Sequence, residues 1–169
     1  MLIPVVVLSV GVVACVTDVR SRKIPNVLTF GAAACGMLFH LLAGGPSGLA
    51  LAAGGWLIGI ALFLPFFLLR GMGAGDVKLL AALGAWLGPL QIVWLALFAS
   101  IAGGVMALLV ALAKGHLRAL FRNVGDILLF WYVAGPRPVP EQTLDHSKSP
   151  RLAYALPIFV GTVITLWRH

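Results

Sequence analysis

Long apolar runs, broken at only a few places, set the pattern of this chain. The first, 2–17, ends at Asp18, and Arg20, Arg22 and Lys23 then make a compact basic loop. Pro25 opens a second run over 26–43. Proline suits the first turn of a helix, where its missing N–H costs nothing. That run stops at Gly44-Gly45-Pro46, an uncharged turn. A third run, 49–69, is long enough for a hydrocarbon core of ~30 Å. Residues 77–113 are too many for one crossing and must fold back once. Gly88-Pro89 is the expected break, giving spans 77–87 and 90–113; a break at Gly103-Gly104 would leave the parity unchanged. The last run, 152–167, is interrupted by Pro157.

The longest polar region, 114–151, lies between the fifth and sixth runs. Leu117, Leu120, Phe121 and Val124 repeat at three and four, with Lys114, Arg118 and Arg122 on the other face. That spacing predicts a basic amphipathic helix lying on an anionic membrane surface. Residues 127–135 are apolar but too short to span, and 136–151, with four prolines, reads as a flexible loop. The pattern therefore predicts an all-α integral membrane protein. It has six transmembrane helices, a cytoplasmic amphipathic segment between helices 5 and 6, and one polytopic domain over 1–169.

Composition agrees. Apolar residues make up 61% and charged residues 10%, against about 45–50% and 25% in soluble domains. The runs are far longer than the ~10-residue alternating strands of a membrane barrel. A net charge of +7 would fit nucleic acid, but the positions argue otherwise. Lys and Arg gather in cytoplasmic loops of membrane proteins. If 18–25 is cytoplasmic, six spans put 70–78 and 114–151 on the same side and the N-terminus outside. All of the 12 Lys and Arg except Arg168 then lie inside. The expected location is a membrane with the basic loops on its cytoplasmic side, with the bilayer as partner and no nucleic acid. Residues 1–17 lack a basic start and read as a retained first helix, not a cleaved signal. Cys15 and Cys35 cannot make a zinc site, which wants four ligands. Both are expected to be small apolar core residues, and no ligand cluster implies a metal or other cofactor.

Chemistry concentrates in Gly71-Met72-Gly73-Ala74-Gly75-Asp76-Val77-Lys78. Asp76 is one of only five acids in the chain and stands between two apolar runs. An ionisable group at membrane depth costs about 3 kcal/mol and marks a functional site by default. The glycines leave the backbone bare, so that another segment can approach closely. Asp76 is expected to cap a helix beginning at Val77. The topology places Asp18 on the same side, each acid at the end of a span, while Asp126, Glu141 and Asp145 fall in the long polar loop. Two carboxylates at one level can share a proton, one activating a water while the other polarises a carbonyl. Their titration belongs to the pair. Helix polarity favours Asp76 as the base and Asp18 as the proton carrier; Arg20, Arg22 and Lys23 pull Asp18 the other way.

These residues resemble a family. Asp18, Arg20, Arg22, Lys23 and Ile24-Pro25-Asn26 look like the first aspartate segment of type IV prepilin peptidases. Gly73-Ala74-Gly75-Asp76-Val77-Lys78-Leu79 looks like their G-x-G-D-x-K-L segment. Tyr154-Ala155-Leu156-Pro157 through Gly161 is similar to their last helix. The resemblance implies an intramembrane aspartic endopeptidase of the GxGD class with Asp18 and Asp76 catalytic. Gly73, Gly75, Lys78, Pro25 and Asn26 would then bind substrate or shape the site. It also implies cleavage of the leader from prepilins or pseudopilins at the cytoplasmic face. With no C-x-x-C pair and no room before the first span, the chain resembles the short, peptidase-only branch of tight-adherence pilus systems, without N-methylation. Lys78 would meet an acidic residue early in the mature pilin or snorkel at the inner interface. His40 reads as packed or interfacial, and Trp56, Trp86 and Trp167 as outer-interface anchors.

The competing class is a small ion- or proton-coupled transporter or channel subunit using the same two acids. It predicts acids near the midplane and inverted repeats, and neither is evident. A non-catalytic assembly factor fits poorly with intact aspartates. A presenilin-like protease would carry a Pro-Ala-Leu motif, which is missing here.

Overall fold

α1, Leu2–Ser21, runs one turn beyond the expected stop at Asp18. The Arg22 N–H reaches the Asp18 carbonyl at 2.8 Å, and Arg22 then ends the helix with φ 52°. The computed structural model describes residues 2–115, 122, 124–126, 135 and 153–168. Most of the expected amphipathic helix and of the 114–151 loop lies outside the described residues; of that helix, Arg122 and Val124 are described and helical.

α2, Asn26–Leu68, is two arms and not one rod. Gly45 breaks it with φ 63° and ψ −150°, a conformation open in practice to glycine alone. Both arms pack on α3, Ala74–Leu87: Gly36 of the first lies against Trp86, and Gly55 of the second against the Gly84 backbone. The turn expected at Gly44-Gly45-Pro46 is therefore where the chain reverses. Gly88, at φ 79°, ends α3, and Pro89 starts α4, Pro89–Ala113, in the first turn of a helix. α4 stays helical through Gly103-Gly104, so the alternative break is not used. α5, Ala155–Trp167, completes the described helices. Pro157 sits in its first turn, where it costs no hydrogen bond, and so does not interrupt it.

α3 is the post of the assembly. Nine of its 14 residues are buried, and Leu79, Leu80 and Leu83 are wholly enclosed by Val7, Phe63, Ile92, Leu95 and Ile158 from the surrounding helices. Outward positions such as Val5, Leu42, Leu57, Leu97 and Val105 are apolar and exposed, the pattern of a surface that meets lipid. Among the described residues three helices (α1, α2 and α4) are long and apolar enough to cross a membrane, and α5 is a shorter apolar helix.

Two sequence expectations are corrected. Trp86 is no interfacial anchor: it is 5% exposed, stacks on Phe39 and donates its indole N–H to the Ala32 carbonyl at 2.8 Å. Its own carbonyl faces His40 Nε2 at 3.1 Å, which makes His40 a packing residue. Cys35 is exposed and belongs to the outer surface, because its arm turns only Ala33 and Gly36 inward at that level.

Candidate active site

Asp18 is buried on the inner face of α1, despite its place in the last turn. Its Oδ2 accepts the backbone N–H of Ala155, the first residue of α5, at 3.3 Å. One turn back, the Cys15 thiol donates to the Ala155 carbonyl, also at 3.3 Å. Positions three apart share one helix face, so α1 grips the start of α5 at two points. The first-turn amides of a helix have no partner within it, and here an acid from another helix supplies one.

Asp76 is not the cap of a helix that starts at Val77. α3 begins at Ala74, which makes Asp76 a first-turn residue, and its N–H closes a turn on the Gly73 carbonyl at 3.2 Å. The Gly73 N–H in return donates to the Asp76 carboxylate. A β-carbon on residue 73 would stand 3.2 Å from Asp76 Oδ2, so glycine there keeps the acid's surroundings open. Asp18 and Asp76 lie within coulombic reach of each other. Each therefore has a helix-start amide, while Asp18 stands in the last turn of its own helix and Asp76 in the first turn of its own.

Tyr154 closes the same region. Its hydroxyl pairs with Ser100 and it lies within electrostatic range of Asp76. Its ring meets Phe63 edge-on at 5.9 Å and nests against Gly103 of α4. Since Ala155 follows directly, this anchor fixes the amide that Asp18 uses. Tyr154→Ala is expected to lower the melting temperature by roughly 4 °C, as a loosened α5 start costs one hydrogen bond of roughly 1.5 kcal/mol. Thermal melting of the purified variant checks this.

The remaining candidate residues form a second group. Lys78 Nζ donates to Asn26 Oδ1 at 3.0 Å and lies 5.3 Å from the centre of the Phe30 ring. Two residues along a helix turn by about 200°, so Lys78 faces away from Asp76. Pro25, at φ −61° and ψ 134°, sets the start of α2 and with it Asn26. Gly75 joins the two groups: a β-carbon there would meet the Ile24 Cβ at 3.2 Å. Gly75→Leu is expected to lower the melting temperature by roughly 5 °C or more, the cost of overpacking by about 1–3 kcal/mol. Ile24→Ala in the same chain should recover part of that loss, as a double-variant cycle would show.

Sequence reasoning passed over Cys15 as a packing residue and did not reach Ser100 or the Ala155 amide. A backbone donor has no residue signature, and the resemblance around Tyr154 was the only pointer to that end of α5. Among the described residues no group of His, Cys, Asp and Glu could hold a metal ion.

This arrangement sets two carboxylates within coulombic reach of each other at one end of an apolar bundle, beside a glycine segment with little side-chain bulk. Comparison with known proteins points the same way. The model of the type IV leader peptidase family matches residues 5–108, which include both aspartates. A prepilin leader peptidase/N-methyltransferase of Aeromonas salmonicida is 39% identical over 105 residues, covering 59% of this chain and 36% of that protein. A type 4 prepilin-like proteins leader peptide-processing enzyme of Escherichia coli is 34% identical over 116 residues, 62% of this chain and 42% of that protein. The Xanthomonas campestris prepilin leader peptidase/N-methyltransferase is 35% identical over 132 residues, 68% and 44% respectively. The chain thus spans less than half the length of these curated relatives. No solved structure matches.

Proposed function

The chain belongs to the type IV leader peptidase family, and from that premise we propose that it is an intramembrane aspartic endopeptidase. Its substrates are type IV prepilin-like proteins, whose leader it removes at the cytoplasmic face of the bacterial inner membrane. The observation that carries the proposal is the meeting of Asp18 and Asp76, on separate helices and within coulombic reach, at one end of an apolar bundle.

The chemistry follows from the pair. One carboxylate, ionised, takes a proton from a water as the water oxygen adds to the scissile carbonyl carbon. The other, protonated, gives its proton to the carbonyl oxygen. The tetrahedral gem-diol collapses as the first acid passes its proton to the amide nitrogen and one diol hydroxyl returns its proton to the second carboxylate, and the C–N bond breaks. A buried pair can start from this singly protonated state because two like charges at close range cannot both form easily. The Ala155 and Gly73 amides hold the two acids in place throughout.

Six crossings, with the N-terminus outside and both aspartates at the cytoplasmic surface, fit this role, since the short leader of a prepilin precedes its apolar helix. We also propose that these residues cut without methylating the new terminus: the chain's two cysteines, Cys15 and Cys35, are far apart and offer no C-x-x-C pair. The test is incubation of the purified protein, in lipid vesicles, with a type IV prepilin and S-adenosylmethionine as methyl donor, followed by mass analysis of the product. Loss of the leader with an unmodified N-terminus is expected. No cleavage would overturn the peptidase reading, and a product heavier by a methyl group would overturn the peptidase-only one.

A further inference from the structure

A groove runs along the face of α3 that turns away from the aspartates. The first arm of α2 contributes Phe30 to it, the second arm Trp56, Ile60 and Leu64, and α3 Val77 and Lys78. Its cavity is about 260 Å³. Trp56 to Leu64 are a little over two turns, so the groove extends roughly 12 Å along the bundle. Its outer rim is open: Phe30 is 53% and Leu64 37% exposed. Lys78 is its one cation among the described residues. Among the described residues it meets only the neutral Asn26 amide and the Phe30 ring, and no carboxylate.

An apolar trough with a cation that no described carboxylate compensates, at the end of the bundle near Asp76, has the form of an amphiphile site. We propose that it binds one anionic glycerophospholipid. The phosphate takes Lys78 Nζ and the Asn26 side-chain amide, which donates through its NH₂ while its oxygen accepts from Lys78. An acyl chain lies along Phe30, Ile60 and Leu64. The helical offset between Asp76 and Lys78 turns the groove away from the dyad, which favours a lipid over a substrate segment. The proposal rests on the membrane reading and does not depend on the peptidase one.

The test is native mass spectrometry of the protein extracted from bilayers of equal phosphatidylglycerol and phosphatidylcholine with matched chains. Wild type should retain phosphatidylglycerol over phosphatidylcholine by about fivefold, the worth of one lysine at an anionic surface. Lys78→Gln should bring the ratio close to one and Lys78→Arg should restore it. Ile60→Trp, which fills the trough, should retain neither lipid. Equal retention by wild type would overturn the proposal, as would an unchanged ratio in Lys78→Gln with Lys78→Arg as the matched control. A peptide copying a prepilin's apolar segment that expels the phosphatidylglycerol one for one would do the same, giving the groove to the substrate.

Discussion

Asparagine at either Asp18 or Asp76 is expected to lower prepilin cleavage by about 10³-fold, the usual loss when a general acid or base is removed. Neither change should unfold the protein. The Asp18 contact to α5 is an acceptor contact, Oδ2 to the Ala155 N–H, and an asparagine carbonyl oxygen can accept it as well. Asp76 likewise accepts from Gly73 and would still do so as an amide. What asparagine lacks is the capacity to take up and release a proton. Cleavage rates, with folded yield and detergent stability measured on the same preparations, separate lost chemistry from lost structure. A folded variant cutting at a near wild-type rate would remove that residue from the mechanism.

The second large effect is structural. A β-carbon at Gly55 would collide with the Gly84 carbonyl, and one at Gly84 with the Gly55 carbonyl. Here α2 and α3 touch backbone to backbone, and neither obstacle is a side chain that could turn aside. Gly55→Leu must separate the second arm of α2 from the helix that carries Asp76. Overpacking costs 1–3 kcal/mol where side chains can adjust, so a melting temperature lower by roughly 5 °C or more is expected, with cleavage lost in parallel. Gly31→Leu is the control, because nothing lies within 4 Å of a β-carbon there. It should leave both measurements unchanged.

The elements legible in the sequence were those fixed by local chemistry. Gly88-Pro89 and Gly44-Gly45-Pro46 reverse the chain as read, since the first joins a positive-φ glycine to a helix-starting proline and the second centres on a φ that side chains rarely allow. Asp18 and Asp76 were legible because acids are so scarce here. What escaped depended on tertiary contact. Trp86 looked interfacial by position but is enclosed because the first arm of α2 packs across it. The start of α3 lay three residues earlier than expected, since Gly73, Ala74 and Gly75 were read as loop although the Gly73 carbonyl already accepts the Asp76 N–H. The grip of Cys15 and Asp18 on Ala155 joins positions 137 residues or more apart, one of them through backbone atoms alone.

That the two aspartates work as one unit is tested most directly by combining both asparagine substitutions. Groups that act together are lost together: once one is gone, removing the other costs little more. The doubly substituted protein should therefore cut prepilin at about the rate of the weaker single variant, near 10⁻³ of wild type. Independent contributions would instead multiply, and the double variant would fall to roughly 10⁻⁶, below any detectable cleavage. That result would contradict a shared site.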